Sequence, residues 1–594
     1  MSNEVSLCMI VKDEEEYLAT CLESVNNIVD EIIVVDTGSS DNTVSIAKSY
    51  NAKVYHHKWN NSFSEARNES LKYATKDWIL ILDADEELSH ESIDIFKRLL
   101  ESSLNEDFIY FFETLSYYGD SIDKSSMTIN LNPRLFKNNQ GTHYEGEIHN
   151  QLIYSESKSG VICRDIKIYH YGYLNKSIFS KNKELRNITL LEEQIKKNPN
   201  NSFAHFNLGT EYARLADSEK ALRHYYKSYE NFDPKNGYSY LLIFRIAFEC
   251  YKIKDYETSL KFINIGIEHY PKFTELYFLK ALAYKDKNMP TKQIRELEKC
   301  VELGEAPPQY RCILGVGDFK AYYELGNVYL KLRDYDTAYN YYEKAIKLKP
   351  DFVSSIYPLG FILKNKITPI DEMKKILEEL LKNYSKSNEV IADLFYSQRF
   401  YKTALEYIAK CEQIGILTEE MSILKAKCLV RAGEFEECIN MDGMSEESNS
   451  YAYFLVHKIL SSILTNNYEK ALSLINSFNT EASSDYNNKL IGVYTQCLNI
   501  FKDEEASEIS NDEKETESLK IILEIIEILL INDKFEELKV AVNLLTLISN
   551  KATLLELGKL YYDQGFIDLG RKEILRSIKE FEIYDKVGLD MLLN

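Results

Sequence analysis

The apolar run Trp78–Leu82 ends in Asp83-Ala84-Asp85-Glu86. Carboxylates at i and i+2 share one face of an extended strand, and beyond its end the chain can turn both toward one ligand. Carboxylate oxygens suit a hard divalent cation, and phosphate oxygens complete such a shell. A strand-to-turn junction with solvated acids accounts for the same residues. A second cluster is Val34-Val35-Asp36-Thr37-Gly38-Ser39-Ser40-Asp41-Asn42-Thr43. Asp36 sits at a strand end and can accept a hydrogen bond from a nucleobase N–H. Gly38 permits close backbone approach, and Asp41 or Asn42 can cap a helix starting near Thr43. A tight turn plus a cap explains everything here except the choice of Asp36. A third cluster, Cys8 to Glu15, is a strand followed by a helix start whose acids suit the helix dipole. His170 follows the apolar run Ile166–Tyr169 and reads either as a satisfied buried histidine or as a metal ligand. His149 sits among His143, Glu145 and Glu147, either as part of a polar rim or as acceptor-binding and base groups.

The elements that position these groups alternate. Val5–Val11, Ile32–Val35, Lys53–Tyr55 and Trp78–Leu82 read as strands, and Glu14–Val25, Thr43–Tyr50 and Ser64–Tyr73 as helices. Strands alternating with helices predict βαβ units and a largely parallel sheet. Ligands of open α/β sheets bind at the carboxyl ends of strands, where the polar clusters after Val11, Val35 and Leu82 stand.

From about Phe203 the pattern changes to Leu, Tyr, Lys and Glu at helical spacing. Tyr322-x2-Leu325-Gly326-x2-Tyr329 with Ala338, Tyr342, Ala345 and Pro350 fits the tetratricopeptide (TPR) pattern. His205-x2-Leu208-Gly209-x2-Tyr212 with Ala221 and Tyr225 is a second copy. Ala247 and Ala281 mark two more, separated by one full TPR period. Weaker copies lie near Ala392/Ala404, Ala426/Cys438 and Leu557-Gly558-x2-Tyr561. Small residues let paired helices approach closely, large ones fill the gap, and each pair stacks on the next as a solenoid. The acidic stretch Lys502–Glu517 reads as solvated surface.

The chain has 594 residues, enough for about three to five domains, and 45% hydrophobic content, which excludes a disordered or fibrous chain. A net charge of −22 argues against general binding to nucleic acid or anionic membranes. The ten cysteines show no zinc or redox spacing and read as reduced core thiols of a cytoplasmic protein. Neither a secretion signal nor a membrane span is predicted.

The set Met9-Ile10-Val11-Lys12-Asp13-Glu14, Asp36 to Thr43, Phe63-x2-Ala66-Arg67-Asn68 and Asp83-Ala84-Asp85-Glu86 resembles family 2 glycosyltransferases of the GT-A fold. The resemblance continues through Pro133-Arg134-Leu135-Phe136, Glu145-Gly146-Glu147-Ile148-His149 and His170-Tyr171-Gly172-Tyr173. Fusion to TPR-like repeats is similar to bacterial flagellin O-glycosyltransferases and bacteriocin S-glycosyltransferases. The implied architecture is an α/β, Rossmann-like GT-A domain over residues 1–190, followed by an all-α TPR-like solenoid over 191–594.

The resemblance implies roles. Asp36 binds the uracil of a UDP-sugar, and the backbone around Val11 with the side chain of Glu14 lines the same pocket. In the Asp83-Ala84-Asp85 turn, Asp83 contacts ribose or metal-bound water, and Asp85 is the main ligand of Mn²⁺ or Mg²⁺. Arg67 neutralises the diphosphate or fixes that turn, and His170 is the second metal ligand. Glu145, Glu147 or His149 is the base; the carboxylate motif usual at that point in the family is lacking. The expected reaction is inverting, metal-dependent transfer of a hexose or N-acetylhexosamine to Ser or Thr of a protein, flagellin-like in kind. Alternatives are S-glycosylation of a peptide Cys, transfer to a surface glycan, and an inactive TPR scaffold. Self-association through the repeats as a homodimer is a further expectation.

Overall fold

Strand β1 (Val5–Val11) carries no charge and is buried along nearly its whole length, the mark of a central strand covered on both faces. The computed structural model describes residues 3–117, 127–172, 183–442, 444–479 and 483–593. Around β1 the chain builds a sheet from β2 (Glu31–Asp36), β3 (Lys53–His56), β4 (Trp78–Ile81), β5 (Glu86–Leu88), β6 (Phe108–Tyr117) and β7 (Met127–Lys137). A two-stranded ribbon follows, β8 (His143–Glu145) and β9 (Gln151–Ile153), and β10 (Ser159–His170) returns to the main sheet. The main sheet runs β3-β2-β1-β4-β7-β6-β10-β5.

β1, β2, β3 and β4 are parallel, as their alternation with helices requires. The other half departs from the parallel expectation. β7 is antiparallel to both β4 and β6, and β5 is antiparallel to β10. Only residues 118–126 separate β6 from β7, fewer than the dozen or so a parallel crossover needs. Helices α1 (Leu18–Val25), α2 (Thr43–Ser49) and α4 (Ile93–Glu101) cover one face, over Leu7, Met9, Val34, Leu80 and Phe112. α3 (Phe63–Lys72) covers the other, over Cys8, Ile33, Ile79 and Ile81. Alternate β1 residues thus feed opposite cores.

The chain divides into two compact units, Met1–Ser355 and Ile356–Asn594. The boundary expected between residues 190 and 191 falls inside the first. Helices Lys183–Lys197 and Ser202–Arg214 seat Leu190, Leu191, Ala204 and Leu208 on Ile148, beside the partly buried Phe63 of the α/β part.

Further helix pairs follow in the same unit. In the turns between paired helices, Ala216, Lys254 and Arg333 take positive φ, and Asp217, Asp255 and Asp334 then cap the next helix. Gly326 shows why each pair needs a small residue: a Cβ there would lie 2.6 Å from Cε1 of the buried Tyr342. One spacing departs furthest from the repeat. Lys254 and Asn288 stand one TPR period apart, whereas the interval from Asn288 to Arg333 is longer by about a third. The extra chain lies in the loop 304–318, between helices Pro290–Leu303 and Phe319–Lys331.

The second unit is helical from Ile356–Asn365 to Lys586–Leu593. It is built around a core that includes Leu429, Leu455, Ile459, Tyr494, Ile525 and Leu529. Its acidic stretch after Lys502 is mostly exposed coil. Eight of the ten free cysteines are buried, and Cys163 and Cys312 are half-buried. No helix among the described residues is long and apolar enough to cross a membrane.

Gly326→Ala is expected to destabilise its helix pair by about 1–3 kcal/mol through overpacking. Hydrogen exchange in Phe319–Lys331 and Tyr335–Leu348 reads this, with Gly237→Ala, which meets nothing within 4 Å, as control. A second expectation concerns Glu305, whose carboxyl is pushed up from near 4.5 to about 7 by burial. The folded chain therefore holds this proton more tightly than the unfolded one. Between those values the stability contributed by the group falls as pH rises. Glu305→Gln should thus raise the urea midpoint at pH 8 and leave it almost unchanged at pH 5.

Candidate active site

The turn after β4 carries three acids, and the fold brings two arginines to them. Arg67 of α3 donates to Asp83 Oδ1 at 2.5 Å. Arg134 of β7 donates to Glu86 Oε1 at 2.5 Å, to Thr114 Oγ1 at 3.1 Å and to the Ile81 carbonyl at 3.3 Å. Glu86 Oε2 in turn accepts from the Asp83 backbone N–H at 2.8 Å, which closes the turn. Glu86 and Arg134 are each 4% exposed. Burial pushes the Glu86 carboxyl up despite Arg134. For Asp83 the burial penalty is outweighed by Arg67 and Arg134, and its carboxyl is held below the usual range.

Asp85 is buried in this turn, and Ala84 beside it. The antiparallel register of β5 and β10 sets His170 opposite Glu86, and the Tyr171 N–H donates to the Asp85 carbonyl at 3.0 Å. His170 Nε2 then lies 3.6 Å from Asp85 Oδ1. Its Nδ1 is 3.1 Å from Ser116 Oγ, which orients the ring. A Cβ on Gly172 would overlap Asp85 Oδ2 and fall 2.6 Å from His170 Nε2. The missing side chain thus leaves a cradle between the two groups. Adjacent ligands of one cation bound at about 2.1 Å stand about 3 Å apart, so the pair fits a divalent ion with small adjustment. Among the described residues no group of three or more His, Cys, Asp or Glu side chains could hold a metal alone. Tyr173, the last residue of that motif, lies outside the described residues.

Asp36, at the end of β2, is buried and turned onto its own loop. It accepts from the N–H groups of Ser39 at 3.0 Å and Gly38 at 3.2 Å, and lies 3.1 Å from His56 Nδ1. A carboxylate has about four acceptor positions, so a further donor can be taken. The loop after Val11 is laced to this one. Asp13, at φ 51°, accepts from the Ser40 N–H at 2.7 Å, and the Glu14 N–H donates to Thr43 Oγ1 at 2.7 Å.

The segment 143–149 reaches the site through α3. Asn68 exchanges two hydrogen bonds with the Tyr144 backbone, at 2.7 and 2.8 Å, and Arg67 lies over the Tyr144 ring. Glu145 is exposed beside His143 at 3.2 Å, and Glu147 pairs with Lys197 at 3.0 Å. His149 differs. Its Nε2 lies 3.3 Å from Glu211, a fully buried carboxylate on helix Ser202–Arg214 that also pairs with Arg214. Burial opposes the charge of Glu211, but His149 and Arg214 outweigh it and hold its pKa below the ordinary value.

The glycosyl transferase family 2 profile matches residues 6–148, the span that carries the acid turn, Asp36 and Arg67. An uncharacterized glycosyltransferase of Rickettsia typhi is 30% identical over 35% of this chain and 73% of its own length. The chain belongs to glycosyl transferase family 2. A TPR repeat-containing protein of Synechococcus elongatus is 32% identical over 41% of this chain and 61% of its own. The SPbeta prophage-derived glycosyltransferase SunS of Bacillus subtilis is 29% identical over 47% and 66%. The chain thus spans less than two thirds of the length of these last two. Tetratricopeptide repeat profiles match residues 274–305 and 319–352.

Several residues of this family 2 site escape sequence reasoning. Arg134 and Glu86 stand inside recognised motifs without an assigned role; an arginine directly before the apolar pair Leu135-Phe136 of β7 is the available signal. Ser116 acts on His170, Gly172 on Asp85 and Glu211 on His149, all remote in the chain. No local spacing records such contacts. Arg134→Met should cost about 3–5 kcal/mol, because it leaves Glu86 buried without its cation. The double variant Glu86→Gln with Arg134→Met should recover at least half of that loss in chemical denaturation.

Proposed function

We propose that this family 2 chain transfers a hexose or N-acetylhexosamine from a UDP-sugar to a protein, with inversion at the anomeric carbon. The observation that carries the reading is the convergence of Asp85 and His170 on one cradle, at the end of a buried acid turn braced by Arg67 and Arg134. Asp85 and His170 would hold Mn²⁺ or Mg²⁺, which when bound offsets negative charge on the diphosphate leaving group. Asp36 has an acceptor position for a uracil N–H, and the backbone at Val11 and the Glu14 side chain line the same pocket. Arg67 fixes Asp83, which keeps the turn in one conformation.

The acceptor oxygen must lose a proton as it attacks. Of Glu145, Glu147 and His149, we assign this task to His149. Glu145 and Glu147 are engaged at the surface, whereas the His149 ring is held by a buried carboxylate. With Nε2 toward Glu211, Nδ1 is left to take the proton, and Glu211 stabilises the resulting imidazolium. The repeats offer an extended surface suited to a polypeptide. The acceptor in this reading is Ser or Thr of a flagellin-like protein.

UDP release from a panel of UDP-sugars tests the reading. One sugar should turn over with Mn²⁺, stop with chelator, and slow by about 100-fold or more in Asp85→Ala and His170→Ala. Failure of the wild type to bind UDP with metal, measured by calorimetry, would reject it.

A further inference from the structure

The extra chain between Asn288 and Arg333 has a destination. Loop 304–318 leaves the repeat helices and lands on β6 and β7. Arg311 forms an ion pair with Glu113 of β6, a residue 3% exposed. Ile313 makes an antiparallel bridge with Thr128, and the Ile129 N–H of β7 donates to the Cys312 carbonyl at 3.3 Å. Leu314 packs with Leu115, Tyr117, Met127 and Ile129, and with Tyr169 and Tyr171 on either side of His170.

Strand alternation gives this landing its meaning. On β6, Thr114 and Ser116 face forward: Thr114 receives Arg134, and Ser116 meets His170. Glu113, Leu115 and Tyr117 face back, where the loop docks. The loop therefore presses on the reverse side of the strands that carry His170 and its orienting serine. Its own shape is pinned from the repeats. Glu275 Oε1, on helix Thr274–Asp286, accepts from the N–H groups of Cys312 at 2.7 Å and Ile313 at 3.1 Å. Glu305 Oε1 accepts from Gly315 and Gly317, each at 3.1 Å. Gly315 has φ 87°, and a Cβ on Gly317 would overlap the Gly304 backbone, so the loop closes on itself.

We propose that loop 304–318 is a positioning strap through which the repeats hold the strand bearing His170 in register with Asp85, with Arg311 and Leu314 as its positioning residues. The inference rests on the donor-site reading of Asp85 and His170. It makes the repeats part of the transferase site as well as a surface for the acceptor.

The full chain tests it with Arg311→Met, Leu314→Ala and the neutral pair Glu113→Gln with Arg311→Gln, which removes both charges of the ion pair together. Hydrogen exchange at residues 113–117 and 166–171 should speed at least tenfold, while exchange at 455–463 in helix Tyr451–Leu464 stays unchanged. The Mn²⁺ concentration for half-maximal UDP binding should rise at least fivefold, and Arg311→Lys should restore most of both. Exchange at 166–171 that stays unchanged, or that rises equally throughout the chain, would overturn the strap. Local exchange that speeds in the variants, when the wild type binds no UDP with Mn²⁺, would overturn the donor-site reading and support the mechanical role alone.

Discussion

Three carboxylates packed into one turn would repel each other and forfeit hydration worth several kcal/mol apiece. The turn after β4 exists because Arg67 and Arg134 arrive from opposite sides, one from a helix and one from a neighbouring strand. Each takes one acid, and Asp85 is directed toward His170. The antiparallel β4–β7 pairing serves this arrangement as much as it serves the core. It delivers Arg134 beneath the strand end, where a charge buried without partners would not survive.

The same logic extends outward. His170 owes its place to β10 lying between β6 and β5, so that Ser116 of β6 and Asp85 of the turn before β5 both approach the ring. His149 is held by Glu211 from the first repeat, and Glu113 of β6 by Arg311 from the loop between later repeats. Two buried acids, one on each side of the junction, thus tie the sheet to the helices. Ion pairs of this kind add little net stability, but they penalise any register that separates the partners. Helices that read in sequence as a separate module belong to the same compact unit as the sheet up to Ser355.

Much of this is legible in the sequence. Uncharged runs mark the central strands, because strands buried on both faces leave no place for charge. Polar clusters at their carboxyl ends mark the site, and the recurring TPR period marks the helix pairs. The mixed second half of the sheet is not legible. The residues of β6, β7 and β10 do not record strand direction, and only the short 118–126 connection hints at reversal. Loop 304–318 is equally silent, since an interruption in a repeat reads locally as mere surface chain.

By itself the sequence determined which groups are present: acids at strand ends, Asp36 among them, and histidines such as His170 at the end of an apolar run. These follow from residue type and local spacing, which the chain carries along its length. The tertiary structure alone decided which groups meet. Arg134 pairs with Glu86, His170 with Asp85, His149 with Glu211 and Arg311 with Glu113, each across a long stretch of chain. Strand order, register and helix seating set those encounters. Buried charge makes them specific, because a group removed from water must find its one partner of opposite sign.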